Sequence, residues 1–235
     1  MSSNLQKHFQ FKTFHKNYFY LVLLNTNSIF MKKQLLLSLI TILFLNCTAQ
    51  NSSYEKEIKE FQYELNTSYA NTSTSPLTAE DLKSFKTLDF FNINEKFKVK
   101  ATLKLTPNEP IFEMQTTTER VPLYRKYAVA SFSIDGKKFQ LSLYQNQQNL
   151  TSMEYGNLLF LPFNDISNGK TSYGGGRYID LEIPEEGSNS IIIDFNKAYN
   201  PYCAYNHKYS CPIPPKENTL HISIEAGVKA YNKHS

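Results

Sequence analysis

Apolar positions along this chain follow two periods, and the change of period divides it. From Asn51 to about Ser68, the residues Tyr54, Ile58, Phe61 and Leu65 recur at helical spacing, which gives a helix one apolar face. Ser52-Ser53-Tyr54-Glu55 reads as a capping box at its start, the serine oxygen taking an orphan backbone N–H. A polar break follows from Asn71 to Ser75, and Thr78-Ala79-Glu80-Asp81 opens a short helix that ends near Phe85. After Phe90 the period becomes two. Phe97, Val99, Ala101, Leu103 and Leu105 alternate with Lys98, Lys100, Thr102 and Lys104, the pattern of a half-buried strand with a solvated lysine face.

The same alternation predicts the remaining strands. Ile111 to Thr118 follows the turn at Pro107 to Pro110. Ala128, Ala130, Phe132 and Ile134 lead into Asp135-Gly136, and Phe139, Leu141 and Leu143 lead out. Asp-Gly between two alternating runs marks a hairpin. Leu158 to Phe163 is a continuous apolar run, which suits a strand covered on both faces. In Arg177 to Ile183, Ile179, Leu181 and Ile183 share a face with Arg177, while Tyr178, Asp180 and Glu182 share the other. Ser190 to Asn196 and Leu220 to Ile224 complete the set. About eight strands with one or two short N-terminal helices, and no βαβ rhythm, predict a mainly β protein. The expected form is a single-domain antiparallel β-sandwich or open barrel. The boundaries read as a helix and linker over 50–74 and a β domain over 75–235.

Composition changes the picture mainly at the N-terminus. Met31-Lys32-Lys33 precedes the apolar run Leu35 to Leu45 and then Asn46-Cys47-Thr48-Ala49, the layout of an export signal over 31–49. Residues 1–30 then read as an extension ahead of the true start. Cleavage after Ala49 releases the domain, whereas cleavage before Cys47 leaves a lipidated cysteine and a membrane tether. The expected location is periplasmic or extracellular, free or lipid-anchored. The net charge of +4 is a property of this leader, since Lys7, Lys12, Lys16, Lys32 and Lys33 lie in it and no acidic residue does. From Gln50 onward 20 basic residues face 21 acidic ones, so nucleic acid is not an expected partner.

Candidate chemistry is concentrated between Phe163 and Leu220. Cys203 and Cys211 are the only cysteines after the leader. In an exported chain a close pair is expected to form a disulfide, stabilising by about 2.5 kcal/mol in the chain-entropy model. A metal site of Cys203, His207 and Cys211 has only three ligands and matches no usual zinc spacing; no metal and no cofactor are expected. Gly174-Gly175-Gly176 precedes a strand, whereas phosphate-cradling loops precede a helix. The glycines are expected to serve unusual φ angles or close backbone approach. Arg177 falls on an apolar strand face and needs an acidic partner, Asp165 or Asp194, unless it forks onto a ligand.

The rows Tyr178, Asp180, Glu182 and Asp194, Asn196 could lie on adjacent strands facing one way, with Tyr199, Asn200, Tyr202, Tyr205 and Asn206 following. The expected ligand-binding set is Asp165, Tyr173, Arg177, Tyr178, Asp180, Asp194, Asn196, Tyr199, Asn200 and Tyr205. Such residues suit a small polar or carbohydrate ligand held by tyrosine stacking and Asn/Asp hydrogen bonds. Two alternatives stay open. One is a hydrolase using Asp180, Glu182 or Asp194. The other is a structural or interaction module in which the motif only locks the fold. No Ser/His/Asp triad is legible.

The stretch also resembles a known family. Pro162-Phe163, Asp165, Gly169, Thr171, Tyr173, Gly176-Arg177-Tyr178 and Asp180-Leu181 carry the first part of the likeness. Asp194-Phe195-Asn196, Ala198 to Tyr205, Tyr209, Cys211-Pro212, Pro214-Pro215, Glu217-Asn218 and Leu220 carry the rest. These residues are similar to domain-of-unknown-function family 1684, a set of bacterial proteins, many of them exported. The likeness is looser from about Ser75 to Tyr155, and Tyr124 to Phe132 departs from the expected glycine-containing strand. His207 is not part of the motif. The resemblance implies an all-β single domain and supplies no mechanism.

Overall fold

The structure, a computed structural model, describes residues 53–231. The expected leader, its Cys47 and the Ser52 end of the capping box lie outside these residues. Packing separates residues 1–56 from residues 57–235. Of the first unit only residues 53–56 are described, as the opening turn of a helix, α1, that runs over residues 53–70. Among the described residues no helix is long and apolar enough to cross a membrane.

The second unit is built on one curled sheet of eight strands. They are β1 (Lys98–Leu105), β2 (Ile111–Glu113), β3 (Leu123–Ile134), β4 (Lys137–Asn146), β5 (Leu158–Asp165), β6 (Arg177–Glu182), β7 (Ser190–Asp194) and β8 (Thr219–Leu220). The ladder runs β6-β5-β4-β3-β1-β7, with β2 on β3 and β8 on β5. All pairs are antiparallel except β5 with β8. The half-barrel matches the open-barrel expectation. The hairpin falls where Asp-Gly placed it, with Asp135 at φ 49° and Gly136 at φ 75°, the left-handed angles a tight two-residue turn requires.

Alternation holds along β1, where Val99, Ala101 and Leu103 are buried and every lysine is exposed. These side chains enter an inner core with Ala128, Ala130, Phe132, Leu141, Leu143, Leu159, Leu161, Phe163, Ile179 and Ile193. The phase changes at the bulge between Lys126 and Ala128. Thr106 anchors it, its N–H donating to Tyr127 O at 2.9 Å and its hydroxyl to Lys126 O at 2.8 Å. Beyond the bulge Tyr124 turns to the outer face, where Tyr144 and Met114 are also buried.

Two expected strands are shorter than their patterns. β2 stops at Glu113, because the chain leaves β3 there and residues 115–117 meet 211–213 instead. Thr117 N–H donates to Cys211 O at 2.9 Å and Ile213 N–H to Gln115 O at 2.8 Å. β8 holds only Thr219 and Leu220, because Ile224 N–H leaves the ladder for the Asp165 carboxylate at 3.2 Å. The short helix forms as α2 (Ala79–Ser84), capped by Thr78. α1 packs through Leu65 and Tyr69 against Leu77, Leu88, Tyr205 and Val228.

Candidate functional site

Arg177 opens β6 on the inner face, as its place in the alternation requires, and is fully buried. Its Nη2 donates to Asp165 Oδ2 at 2.7 Å and to Ile224 O at 2.7 Å, and its Nη1 donates to Ala226 O. Phe163 and Phe91 flank the guanidinium, their ring centres 5.3 and 5.8 Å from Cζ. Burial lowers its pKa against the opposing pull of Asp165. Asp165 is the partner; the other candidate, Asp194, instead accepts from the backbone and side-chain nitrogens of Asn196, both at 3.0 Å. Asp165 Oδ1 accepts from Ser167 N–H at 2.8 Å. The pair closes the β5–β6 loop and holds the C-terminal segment to the sheet. Gly176, at φ 85°, permits this closure, since a Cβ there would stand 2.7 Å from Asn164 Oδ1 and 2.6 Å from a carbon of Pro214.

The motif's asparagines act in the same way. Asn196 clamps Asn94 through both backbone groups, at 3.0 Å each. Asn200 is buried and donates to Lys229 O at 2.8 Å and Tyr205 OH at 3.2 Å. Asn218 joins β4 to β5, which pair in register only at Tyr144 and Phe160. It accepts from Ser142 N–H at 2.8 Å and donates to Ser142 O at 2.9 Å and Pro162 O at 2.7 Å. Beside it Glu217 accepts from Ser142, Tyr144 and Lys126, each at 2.8 Å. Sequence reasoning passed over Asn218 and Glu217 as individual residues. Their partners lie more than 50 positions away, and no local spacing reveals that.

The two polar rows do not lie on paired strands, because β6 and β7 end opposite sides of the ladder. The carboxylates of Asp180 and Asp194 are therefore not neighbours on adjacent paired strands. Instead, β6 meets the proline-tyrosine-cysteine segment. Tyr178 N–H donates to Tyr199 O at 2.9 Å, and Tyr199 N–H to Tyr178 O at 3.0 Å. Next to this bridge Tyr199 OH donates to Asp180 Oδ2 at 2.6 Å. Asp180 is exposed, but no ion pair to it is found among the described residues, and its second oxygen accepts no hydrogen bond there. Surrounding protein raises its pKa, and the Tyr199 hydroxyl opposes this only in part.

Aromatic rings wall this carboxylate. Phe160 lies directly across from Asp180 on β5. Phe160 and Tyr178 have ring centres 4.7 Å apart at 72°, and Tyr178 and Tyr199 are 5.9 Å apart at 89°. Tyr124 continues the wall, 5.6 Å from Phe160, and Tyr202, exposed and packed on Tyr209, lies within electrostatic reach of Asp180. Burial of Tyr178 is completed by the 209–213 loop, where its hydroxyl donates to Pro212 O.

Cys203 and Cys211 lie behind Tyr173, and both are free thiols. The expected cross-link is not formed. Cys203 N–H donates to Cys211 Sγ at 3.1 Å, and Tyr173 OH lies 3.8 Å from Cys203 Sγ. Hydrogen bonds to 115–117 and Arg120 Nη2 on Ser210 O at 3.0 Å hold this loop without a covalent tie. The Cys211 thiol lowers the Cys203 pKa to about 6, and Cys211 is correspondingly raised. Burial raises the Tyr173 hydroxyl to about 12. Among the described residues no group of three or more potential metal ligands converges.

Clefts open elsewhere, among them one of about 680 Å³ on the β3–β4 hairpin at Ser131, Phe132, Lys138 and Phe139. One of about 700 Å³ is lined by Asp81, Phe85, Lys86, Tyr205, Lys229 and Tyr231. Another of about 460 Å³ lies among Phe91, Asn94, Lys96, Ser223 and Glu225. Of the expected site residues only Tyr205 lines any of these.

Residues 83–229 match a family described as a protein of unknown function, DUF1684. The chain belongs to this family. The motif residues from Phe163 to Leu220 all fall inside the matched region. A solved structure of similar fold is the solution structure of the uncharacterized protein from gene locus rrnAC0354 of Haloarcula marismortui. It has 30% sequence identity and a TM-score of 0.60 over 77% of this chain and 96% of that one. No curated protein matches the chain. For this DUF1684 member the comparisons agree with the mainly β fold, and they bring no activity with them.

Proposed function

We propose that this DUF1684 protein is a non-catalytic binding protein of the cell envelope whose site is the aromatic ledge around Asp180. One observation carries the reading. Asp180 is the solvent-open carboxylate of the expected set that keeps one oxygen without a partner among the described residues, and it does so beside tyrosine and phenylalanine rings. Flat rings cover a ligand's apolar face while a carboxylate accepts its hydrogen bonds, the mixed lining that small-molecule sites use. The other conspicuous polar groups, Arg177, Asn196 and Asn218, spend their hydrogen bonds within the protein. Export fits the signal-like pattern over 31–49.

The test is a titration of isotope-labelled protein with small neutral, anionic and cationic compounds, followed by amide shifts. Shifts confined to Phe160, Asp180 and Tyr199 are the expected result. A ligand that instead moves Tyr205, Lys229 and Tyr231 would transfer the function to the larger cleft.

A further inference from the structure

Resting on that reading, we infer that the Asp180 ledge takes the head of a small organic cation, an alkylammonium or guanidinium group, rather than an uncharged sugar. Asp180 carries a negative charge that no described cation neutralises within ion-pair distance. Among the described residues four other carboxylates of the same unit are answered by cations, Asp135 by Lys96 among them, while Asp180 combines an unmet charge with neighbouring rings. Asp165 has Arg177, Glu217 has Lys126, and Glu57 has Lys197 and Lys98. A crowded carboxylate without a counter-charge is costly to keep ionised, and an arriving cation removes that cost. A neutral polyol does not.

Ring geometry points the same way. Tyr178 is buried between Phe160 and Tyr199, edge-to-face with each at 72° and 89°, and the two outer rings stay partly exposed beside the carboxylate. Ring faces carry partial negative charge and attract ammonium or guanidinium groups. Tyr199 also fixes the carboxylate through Oδ2 at 2.6 Å, leaving Oδ1 to meet the ligand. Tyr202, 42% exposed and within electrostatic reach of Asp180, offers a further ring. An inorganic cation satisfies the charge but gains less from the rings, because it must shed a tightly held water shell.

The pH dependence follows from the neighbours. The titratable groups around Asp180 are the hydroxyls of Tyr199, Tyr178, Tyr124 and Tyr202, whose pKa values are all raised, chiefly by burial. They stay neutral through the range in which the carboxyl titrates. Glu182 follows on the same face of β6 by alternation, and Arg120, near Tyr124, is engaged by Ser210 O at 3.0 Å. Binding of a cation therefore strengthens as pH rises through the Asp180 pKa and then levels off.

Calorimetric titration with tetramethylammonium, choline and agmatine, beside glucose and potassium chloride, tests the inference on the full chain. At least one organic cation should bind, glucose should not, and potassium at equal concentration should not displace the cation. Asp180→Asn should weaken the cation at least tenfold and remove the pH dependence. Because Asp180 is exposed, this variant should keep the wild-type amide spectrum outside the ledge. Tyr202→Ala should weaken organic cations several-fold. Glucose binding with equal affinity to wild type and Asp180→Asn would overturn the inference while sparing the ledge as a binding site. Equal competition by potassium would overturn the aromatic part of the argument. Failure of every compound to bind would remove both the inference and the proposed function.

Discussion

Arg177 and Asp180 stand three residues apart on one strand and face opposite sides of the sheet. Arg177 is sealed in the inner core, with a carboxylate and two carbonyls around it. Asp180 lies on the outer face with one tyrosine hydroxyl and, among the described residues, an open oxygen. Read along the chain, both are charged residues in one polar, glycine- and tyrosine-rich stretch. In space, one fastens the protein and the other keeps an oxygen without a partner among the described residues. The difference shows that a dense run of polar residues is no measure of a site. What counts is how many hydrogen bonds the protein itself leaves unused.

The contrast can be broken at its strongest point first. Arg177→Lys keeps the charge but loses the planar fork, leaving Asp165 and two buried carbonyls underserved. A loss of about 3–5 kcal/mol is expected from breaking a buried pair, read from the urea midpoint. A change under 1 kcal/mol would mean that water replaces the guanidinium and that the region is open after all. Asn218→Ala should cost about 2–4 kcal/mol, because it strands the Ser142 backbone groups and the Pro162 carbonyl. Amide exchange should then rise first at β4 and β5, and exchange rising uniformly would deny that Asn218 joins those two strands.

The smallest effect has the opposite sign. Asp180 has a raised pKa, so its contribution to stability is present in acid and is lost as pH rises through the folded-state value. Asp180→Asn should therefore melt slightly above wild type at neutral pH. The gap should vanish below the unfolded carboxyl pKa, near 4. A variant that melts lower at neutral pH would show that Asp180 is paired in solution, and the ledge would join Arg177 as a fastening.

Much of the fold was legible because alternation is local. β1, the hairpin of β3 and β4, β6 and β7 all lie where period two placed them, and Arg177 lies on the face its position dictated. Where the reading overran, in β2 and β8, a distant partner took the backbone: residues 211–213 for the first and Asp165 for the second. Of the candidate site, Tyr178, Asp180 and Tyr199 come together as the motif suggested. Asp194 and Asn196 do not join them, since strand order depends on how the sheet curls. Phe160 and Tyr124 were missed as site residues because each is only one apolar position in a strand.

The amino-acid order alone determined which residues alternate, where the chain must turn, and that Arg177 needed an acidic partner, for these rest on side-chain volume, backbone angle and the cost of buried charge. Only the tertiary structure decided that the partner is Asp165, that Asn218 joins β4 to β5, and that Asp180 meets a single tyrosine hydroxyl among the described residues. Those outcomes depend on which distant groups the packed fold brings to each donor and acceptor. A hydrogen bond spanning 76 residues, such as Asn218 to Ser142, leaves no period in the chain to read.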